Sequence, residues 1–573
     1  MEILTDYPLK IIKTGLLVIG AGAAGSMAAI KASDFTKDIV VLEKAVHRSG
    51  GALGIGHYTS EINPVCNVPG GPTSMEFVEG YMSSSSGWSG QERPLDKYII
   101  AEEFTPIVKE LEDWGLEIYK KEDGTWDNYW HKHIGERMES GCWVKGGTMK
   151  RCLMDEVKRR GINIVERTMA VDLLNRDGKV IGAVALNTRT GELSVYHAKA
   201  VVLCTGSSSR TYVVNPGKKW FFMRDMGTNC GDGRGMVYRA GGELTMMELI
   251  RTDHMQGNVM ARFWGGKAIN SKGEDFLTET YKRRWSRSYS MHLEEEKGNG
   301  PLYWDSRDMT EEELDRWVRY CSDEKNYPDV VLTETYRQKG LDRRSEPYEF
   351  ESQPIGFLGG PVFNYYGATT LPGLYAAGDE IWQDSLSGAF VFAKRAGIAA
   401  AKYADLQEDW TPIDEGQLKE IEETILAPTR RVEGASPQEL EERVRTIMTK
   451  YAYITKIGGM LEQGLKNLRW IKEKWVSRIK AETPHDLMRW AEVRNIMDVA
   501  EVHMESALFR TESVPYGRHF LDREDYPTQH PTWYRQRVVV KRDCDEMKVF
   551  KRQTVEQRPP TLEEYEAVKE IKP

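Results

Sequence analysis

The chain is poor in several of the features that would place it in a narrower class. Its seven cysteines are Cys66, Cys142, Cys152, Cys204, Cys230, Cys321 and Cys544. Their number is odd and no two stand in a C-x-x-C spacing, so they offer neither a zinc motif nor a cluster motif; the pattern is that of buried thiols in a reducing cytoplasm. No metal ligand set is expected. No apolar run approaches the ~20 residues that a membrane-spanning helix needs. The first strong apolar segment runs directly into a glycine-rich turn, which is not a signal-peptide layout, and the expected location is cytoplasmic. Positive charge is not in excess: the net charge is −9 at pH 7, which argues against nucleic acid as the main partner. There is no internal repeat and no low-complexity tract.

What is present is a 573-residue chain with 40% hydrophobic residues, enough for two or three domains and a large core. Its organising stretch is Leu16 to Lys44, LLVIGAGAAGSMAAIKASDFTKDIVVLEK. The run Leu16 to Ile19 predicts a buried parallel strand. Gly20, Gly22 and Gly25 follow as G-x-G-x-x-G, then a small-residue helix, then a second apolar run from Ile39 to Leu42 that ends on Glu43. Strand, glycine turn, helix, strand and a terminal acid about 20 residues after the turn form a dinucleotide-binding pattern. Gly20 permits the tight turn, Gly22 lets amides approach a diphosphate, and Gly25 lets the helix lie close to the strand. The helix dipole adds a positive end for the diphosphate, and Glu43 can accept hydrogen bonds from ribose hydroxyls. The next turn, Arg48-Ser49-Gly50-Gly51-Ala52, can wrap further round a diphosphate or approach a flat ring.

The order of patterns predicts an α/β fold: a Rossmann-like nucleotide domain, an inserted α+β lobe, a helical bundle and an extended tail. The expected boundaries are 1–240 and 356–410 for the two parts of the nucleotide domain, 241–355 for the inserted lobe, 411–514 for the bundle and 515–573 for the tail. Within them, Val180–Ala185 and Glu192–His197 suggest a hairpin, and Ala198 to Gly206 a separate strand returning to the main sheet. Leu374 to Asp379 reads as the last core strand, with the acid at its tip. Leu440–Tyr453, Leu461–Ile479 and Leu487–Phe509 carry apolar positions at helical spacing. The tail is expected to hold one strand, Gln536 to Lys541.

Four separated motifs point to one family: Gly20-x-Gly22-x-x-Gly25 with Glu43, Cys204-Thr205-Gly206, Cys230-Gly231-Asp232-Gly233, and Thr370 to Asp379, TLPGLYAAGD. Together they resemble the FAD-binding flavoproteins of the succinate dehydrogenase and fumarate reductase superfamily. Ala268 to Leu277 is similar to the capping-domain stretch of these enzymes. Leu487 to Glu492, Ala500 to Glu512, Arg523 to Pro527 and Trp114-Gly115-Leu116 are most like the alpha subunit of dissimilatory adenylylsulfate reductase. The resemblance implies an FAD-dependent oxidoreductase subunit doing two-electron chemistry at flavin N5, with a small-molecule substrate and a ferredoxin-like iron–sulfur partner; a higher oligomer is compatible with it. It places Ala23, Ala24 and Lys44 beside the glycines and Glu43 at the cofactor. It adds Ser49, Gly50 and Gly51, then Ala170, Thr205, Gly206 and Asp232. Gly378 and Asp379 would face the ribityl chain, and Ser385, Ser387, Gly388 and Ala389 open a helix aimed at the flavin pyrimidine carbonyls, where its dipole stabilises negative charge.

Departures from the family bear on the substrate. The stretch Ile381 to Gly388 lacks the His and Arg that hold a dicarboxylate, and lacks the His that adenylylsulfate reductases carry there. It offers Gln383 and Asp384 instead, and an ionised Asp384 repels a carboxylate. On the capping side, His254 resembles the substrate-facing His and Arg287 the proton-delivering Arg, although an Arg stays protonated and delivers a proton only through a relay. The sequence leaves three readings: an oxidoreductase of unassigned substrate, adenylylsulfate reductase itself, and a flavin electron-transfer subunit without its own substrate. The FAD is expected to be non-covalent, because Ser49 stands where the family's attachment His would be, and His47 lies two residues away. Trp264, Trp285 and Trp304 offer either flat apolar pocket surface in the capping lobe, or core or partner interface.

Overall fold

The computed structural model describes residues 9–573 apart from 52, 54–60, 85–89, 132–138, 214–227, 255–265, 284, 314–337, 339, 341–345, 351, 358, 382–385 and 518. The central sheet is built on β1 (Lys10–Ile19), whose last four residues, Leu16 to Ile19, are buried on both faces. Parallel neighbours on each side explain why that run is continuous rather than alternating. On one side lies β2 (Ile39–Glu43), in the register Leu16↔Ile39 to Ile19↔Leu42, and beyond it β3 (Asn163–Glu166). On the other side lies β6 (Leu193–Leu203), in the register Leu16↔Ala200 to Ile19↔Leu203.

The chain reaches β6 through an antiparallel meander, β4 (Thr168–Arg176) and β5 (Lys179–Asn187). The hairpin is as the turn chemistry predicts. The second expectation changes: Glu192–His197 and the returning strand are one continuous element. The start of β6 pairs with β5, while Val201 to Leu203 pair with β7 (Leu374–Ala376). The long β6 thus belongs to one seven-stranded sheet, pairing with β1 along its length, with β5 at its start and with β7 at its end.

Helix α1 (Ala23–Ala32) and, after the inserted lobe, the helix Leu386–Asp405 lie on the sheet; α2 (Pro94–Asp113) packs on Leu386–Asp405, α3 (Met149–Arg159) on α1, and α4 (Asp232–Arg239) on β4. Small residues set the spacing between α1 and Leu386–Asp405: a Cβ at Gly397 would strike the Ala28 carbonyl oxygen. The inserted lobe has two small antiparallel sheets. One pairs Ile250–His254 with Ser352–Phe357; the other joins Lys267–Ile269, Leu302–Asp305 and Tyr348–Phe350. Helix α5 (Arg287–Glu296) lies against them. Of the two readings of Trp304, core and pocket surface, the core reading holds. Trp304 is fully buried and stacks on Phe350, with ring centroids 4.8 Å apart, so it belongs to the lobe's own core with Leu302, Leu277 and Met291 and does not line a pocket.

The helical part contains α6 (Pro437–Tyr451), α7 (Gly458–Lys474) and the 26-residue α8 (Pro484–Phe509). The expectation of an extended tail holding one strand is revised. The strand expected at Gln536–Lys541 extends to Asp543 and forms a hairpin with Glu546–Gln553. Val539 and Val540 of that hairpin pair with Leu244 and Thr245 of the main body. A closing helix, α9 (Leu562–Lys569), docks on α2 through Tyr565, whose ring meets Tyr98 edge-on at 5.1 Å. The tail thus packs on its own chain. The sequence hid this because no residue of Glu546–Gln553 is fully buried, which leaves no clear apolar alternation, and α9 buries only Tyr565. Among the described residues, no helix is long and apolar enough to cross a membrane.

Buried ion pairs join these parts. Arg510, at the end of α8, is almost wholly buried and bonds Glu248 at 2.9 Å and Glu512 at 2.6 Å. Replacing it with Met would leave two buried carboxylates without their counter-charge. Arg510→Met is expected to lower stability by about 3–5 kcal/mol, read from the urea midpoint at unchanged m; a loss under about 1 kcal/mol would contradict this account of the junction.

Candidate cofactor and substrate site

The site begins where β1 runs into α1. Gly20 turns with φ +99°, and a Cβ there would overlap the Cys204 carbonyl oxygen at the end of β6. Gly25 lies against the Gly20 carbonyl, where no larger residue fits. The turn is therefore wedged between the helix and the neighbouring strand. Gly22 begins α1 with extended backbone, no side chain caps the helix, and its first turn carries no acid. The first amides of a helix have no partner inside it, so Ala23 and Ala24 stand at an open positive end. Gly51, at φ +73°, crosses over Gly22; a Cβ at Gly51 would lie 2.7 Å from the Gly22 Cα. Two glycine backbones thus form a cradle that any Cβ would fill, and this fits an anionic diphosphate group.

Glu43 is buried at the tip of β2. Its carboxylate accepts the Ala21 and Ala45 amides, each at 2.9 Å, and lies under Gly50. It braces the turn as well as marking its edge. Ser49 is half-buried in the single helical turn His47–Ser49, its hydroxyl directed to the Val46 carbonyl at 3.4 Å. His47 is buried and meets the Ser26 hydroxyl at 3.2 Å through Nε2; burial and the nearby Lys150 lower its pKa to about 4. Ala170 sits in β4, whose start is held to the turn after β2 by the Arg167 amide bonding Ala45 O at 2.7 Å.

Lys44 turns away from the cradle and enters a buried charge network. It bonds Asp232 at 2.7 Å and Glu492 at 3.1 Å. Burial opposes its charge, but the two carboxylates outweigh burial and raise its pKa. Asp232 also accepts Asn495 at 2.8 Å, and Glu492 accepts Arg210 at 2.8 Å. Motif residues from β2 and α4 are thus tied to α8 of the helical part. Sequence reading missed Glu492 and Asn495, because a charged residue inside a helical pattern reads as solvent-facing.

Arg234 and Glu380 were missed as well. Arg234 is fully buried and donates to Gly206 O at 2.7 Å, to Asp379 O at 2.6 Å and to Gly359 O. One guanidinium thereby fixes three loop backbones, a use of its rigid fork. Thr205 accepts the Gly233 amide at 2.9 Å and donates to Glu380. Burial raises the Glu380 pKa even though Arg234 is near. Asp379 is exposed at the tip of the turn Gly378–Ile381 while Glu380 beside it is buried. The adjacent acids in Gly378-Asp379-Glu380 were the available signal: successive residues of a tight turn face opposite ways.

Gly378 brings the remaining pieces together. A Cβ at this position would lie 2.8 Å from the Ala24 Cβ and 4.0 Å from the Ala389 Cβ. The start of α1, the turn after β7 and the first turn of Leu386–Asp405, with Ser387 and Gly388 buried in it, therefore converge. Ser385, Gln383 and Asp384 lie outside the described residues. On the capping side, Arg287 is the first residue of α5 and half-buried. The Ser288 hydroxyl donates to Thr252 O at 3.1 Å, which sets the start of α5 against the strand ending at His254. The two capping candidates thus stand on neighbouring elements, with the His254 side chain outside the described atoms. Trp285 is half-buried, edge-on to Tyr289 at 5.6 Å and covered by Arg283; Trp264 is outside the described residues.

If the cradle holds the diphosphate, Gly22→Val fills it. The purified variant is expected to be colourless, whereas Glu43→Ala retains flavin with affinity weakened by roughly 1–3 kcal/mol through lost hydrogen bonds. The ratio of flavin to protein absorbance measures both; wild-type colour in Gly22→Val would overturn the assignment.

Most of the chain matches known families. Residues 15–390 match the family model described as FAD binding domain, and residues 441–568 the one described as fumarate reductase flavoprotein C-term. The chain is 25% identical to a subunit of the CoM/CoB fumarate reductase of Methanothermobacter marburgensis, with 92% of this chain and 97% of that protein covered. It is 26% identical to the mitochondrial succinate dehydrogenase flavoprotein subunit of Oryza sativa, with 89% and 85% covered. In fold it is similar to adenylylsulfate reductase of Archaeoglobus fulgidus, with a TM-score of 0.82 at 24% identity over 97% of this chain and 98% of that one. The chain belongs to the FAD-binding flavoprotein family of fumarate reductases and succinate dehydrogenases, and it is an FAD-dependent oxidoreductase.

Proposed function

We propose that this chain is the flavin subunit of an oxidoreductase that passes electrons to or from a separate ferredoxin-like iron–sulfur subunit, and that its acceptor or donor is not a C4 dicarboxylate. The observation that carries the reading is the convergence of Ala24, Gly378 and Ala389 beside the Gly22–Gly51 cradle. It supports a two-ended site: a diphosphate at α1, and a ring system near the start of Leu386–Asp405. FAD, when bound, supplies two-electron chemistry at N5 and single-electron exchange with a partner.

The chain's own contribution is positional. Ala23, Ala24 and Gly51 hold the diphosphate, Glu43 the ribose, and Asp379 the ribityl hydroxyls. The dipole of Leu386–Asp405 favours negative charge at its start. Arg287 anchors one anion of the substrate, and His254 holds or accepts a proton. The partner reading rests on two supports. Five of the seven cysteines are buried singly, and among the described residues no group of His, Cys, Asp or Glu could hold a metal. The relatives named above are themselves designated subunits.

The substrate argument is sharpened by what the capping side supplies. Trp304 is core, so Trp285 alone of the described tryptophans supports an aromatic surface. Asp384 and Gln383 replace the family's cationic anchors in sequence. We therefore propose an unsaturated or aryl acceptor with one anchored anion. The test is reoxidation of reduced flavin by fumarate, adenylylsulfate and a panel of enoyl and aryl acceptors. Turnover with an enoyl or aryl compound and none with fumarate is the expected outcome. Rapid turnover with fumarate would overturn the pocket argument, and turnover with adenylylsulfate would make the chain part of an adenylylsulfate reductase despite the missing His. A response to protein partners alone would favour the second reading, an electron-transfer subunit without its own substrate, which the lost His and Arg allow.

The flavin is proposed to be non-covalent. Ser49 cannot form the family's histidyl link, and His47 Nε2 is turned to Ser26 inside the protein. Acid precipitation should release the yellow colour into the supernatant; colour retained in the pellet would contradict this.

A further inference from the structure

Lys150 is not reached by the glycine spacing, yet it touches the centre of the turn. It is the second residue of α3, which packs against α1 and the His47–Ser49 turn. Its side chain is buried and its Nζ donates to Ala21 O at 2.9 Å. The Ser26 hydroxyl donates to the same oxygen at 3.1 Å. A hydroxyl has one proton, so the 3.2 Å contact between Ser26 and His47 Nε2 makes that nitrogen the donor; with its pKa lowered to about 4, His47 is neutral at pH 7. Three side chains from α1, α3 and the turn thus lead to one carbonyl.

That carbonyl shares a planar trans peptide with the Gly22 amide, and in such a peptide C=O and N–H point in opposite directions. Holding Ala21 O on the Lys150 side therefore fixes the Gly22 N–H away from it. We propose that Lys150 is a positioning residue of the dinucleotide site: with Ser26 it orients the Ala21–Gly22 peptide so that the Gly22 amide serves a diphosphate, and its charge favours the bound anion. This rests on the reading of the turn as the FAD site.

Lys150 has consequences for pH. The titratable groups facing it are Glu43 on β2 and His47 in the turn, while α1 presents the neutral Ser26; the Glu166 carboxylate on β3 is held by the His47 amide at 2.8 Å. Burial lowers the Lys150 pKa to about 8, and Glu43 only partly opposes this. Below that pH the side chain is charged; above it the charge is lost. If the charge favours the anion, FAD affinity is full below about pH 8 and declines as pH rises through it.

The test uses the holoenzyme. Flavin dissociation is followed by the fluorescence of released FAD on dilution, from about pH 6.5 to 9.5, for wild type, Lys150→Arg and Lys150→Met, with melting temperatures alongside. Lys150→Met should hold FAD roughly 10- to 100-fold more weakly at pH 7, the size of one charged hydrogen bond. Wild type should lose affinity by up to about tenfold per pH unit above the Lys150 pKa. Lys150→Arg, charged throughout, should restore affinity at pH 7 and remove the step. Wild-type affinity in Lys150→Met overturns the proposal, as does a step that persists in Lys150→Arg. Should the Met variant fail to fold, the Arg profile alone decides. Gly22→Val separates the two levels: FAD kept by that variant refutes the site, whereas FAD lost there with Lys150→Met unaffected refutes only the role of Lys150.

Discussion

The cofactor site depends on backbone meeting backbone with no side chain between. Gly20 presses on the end of β6, Gly25 on the Gly20 carbonyl, and Gly51 on Gly22. These contacts fix the distance between α1 and the sheet, and with it the place where the uncapped helix end opens. Close-packed interiors respond discretely to added atoms, so one methyl group at these positions acts as a switch between a formed and an unformed site. Gly378 repeats the device at the other end, where Ala24 and Ala389 define how near the two helix starts can come.

Around this frame the loops are fixed by buried charge rather than by apolar packing. Arg234 holds three loop carbonyls, and the chain from Lys44 through Asp232 and Glu492 to Arg210 and Glu441 runs from the nucleotide sheet into the helical part. Breaking one member of such a network leaves its partner buried and uncompensated, which costs more than the bond itself contributed. The helical part is thereby more than a lid: Asn495 and Glu492 hold the side chains of Asp232 and Lys44 in place.

The fold class and the cofactor were legible because they rest on local patterns. A run such as Leu16 to Ile19, buried on both faces, and a glycine triplet with one steric solution are readable without knowing what lies nearby. Residues whose role depends on long-range neighbours were not. Lys150 shares a helical stripe with Leu153 and Val157, spaced three and seven residues on, which in retrospect marks an inward face, but a lysine in a charged helix reads as solvated. Glu492 was hidden in the same way. Trp304 could not be decided from sequence, because a tryptophan fills core and pocket walls alike; it is the lobe's core. The tail was misjudged because its partners, Leu244, Thr245 and α2, lie hundreds of residues away in the chain.

The proposed role requires flavin to be the chain's sole redox centre, with a partner for single-electron transfer. An anaerobic reductive titration of the purified chain, with iron analysis, addresses it most directly. Uptake of about two electrons per chain, confined to the flavin bands and with no iron, is expected. Uptake beyond the flavin, accompanied by iron and broad visible absorbance that bleaches with it, would contradict that role.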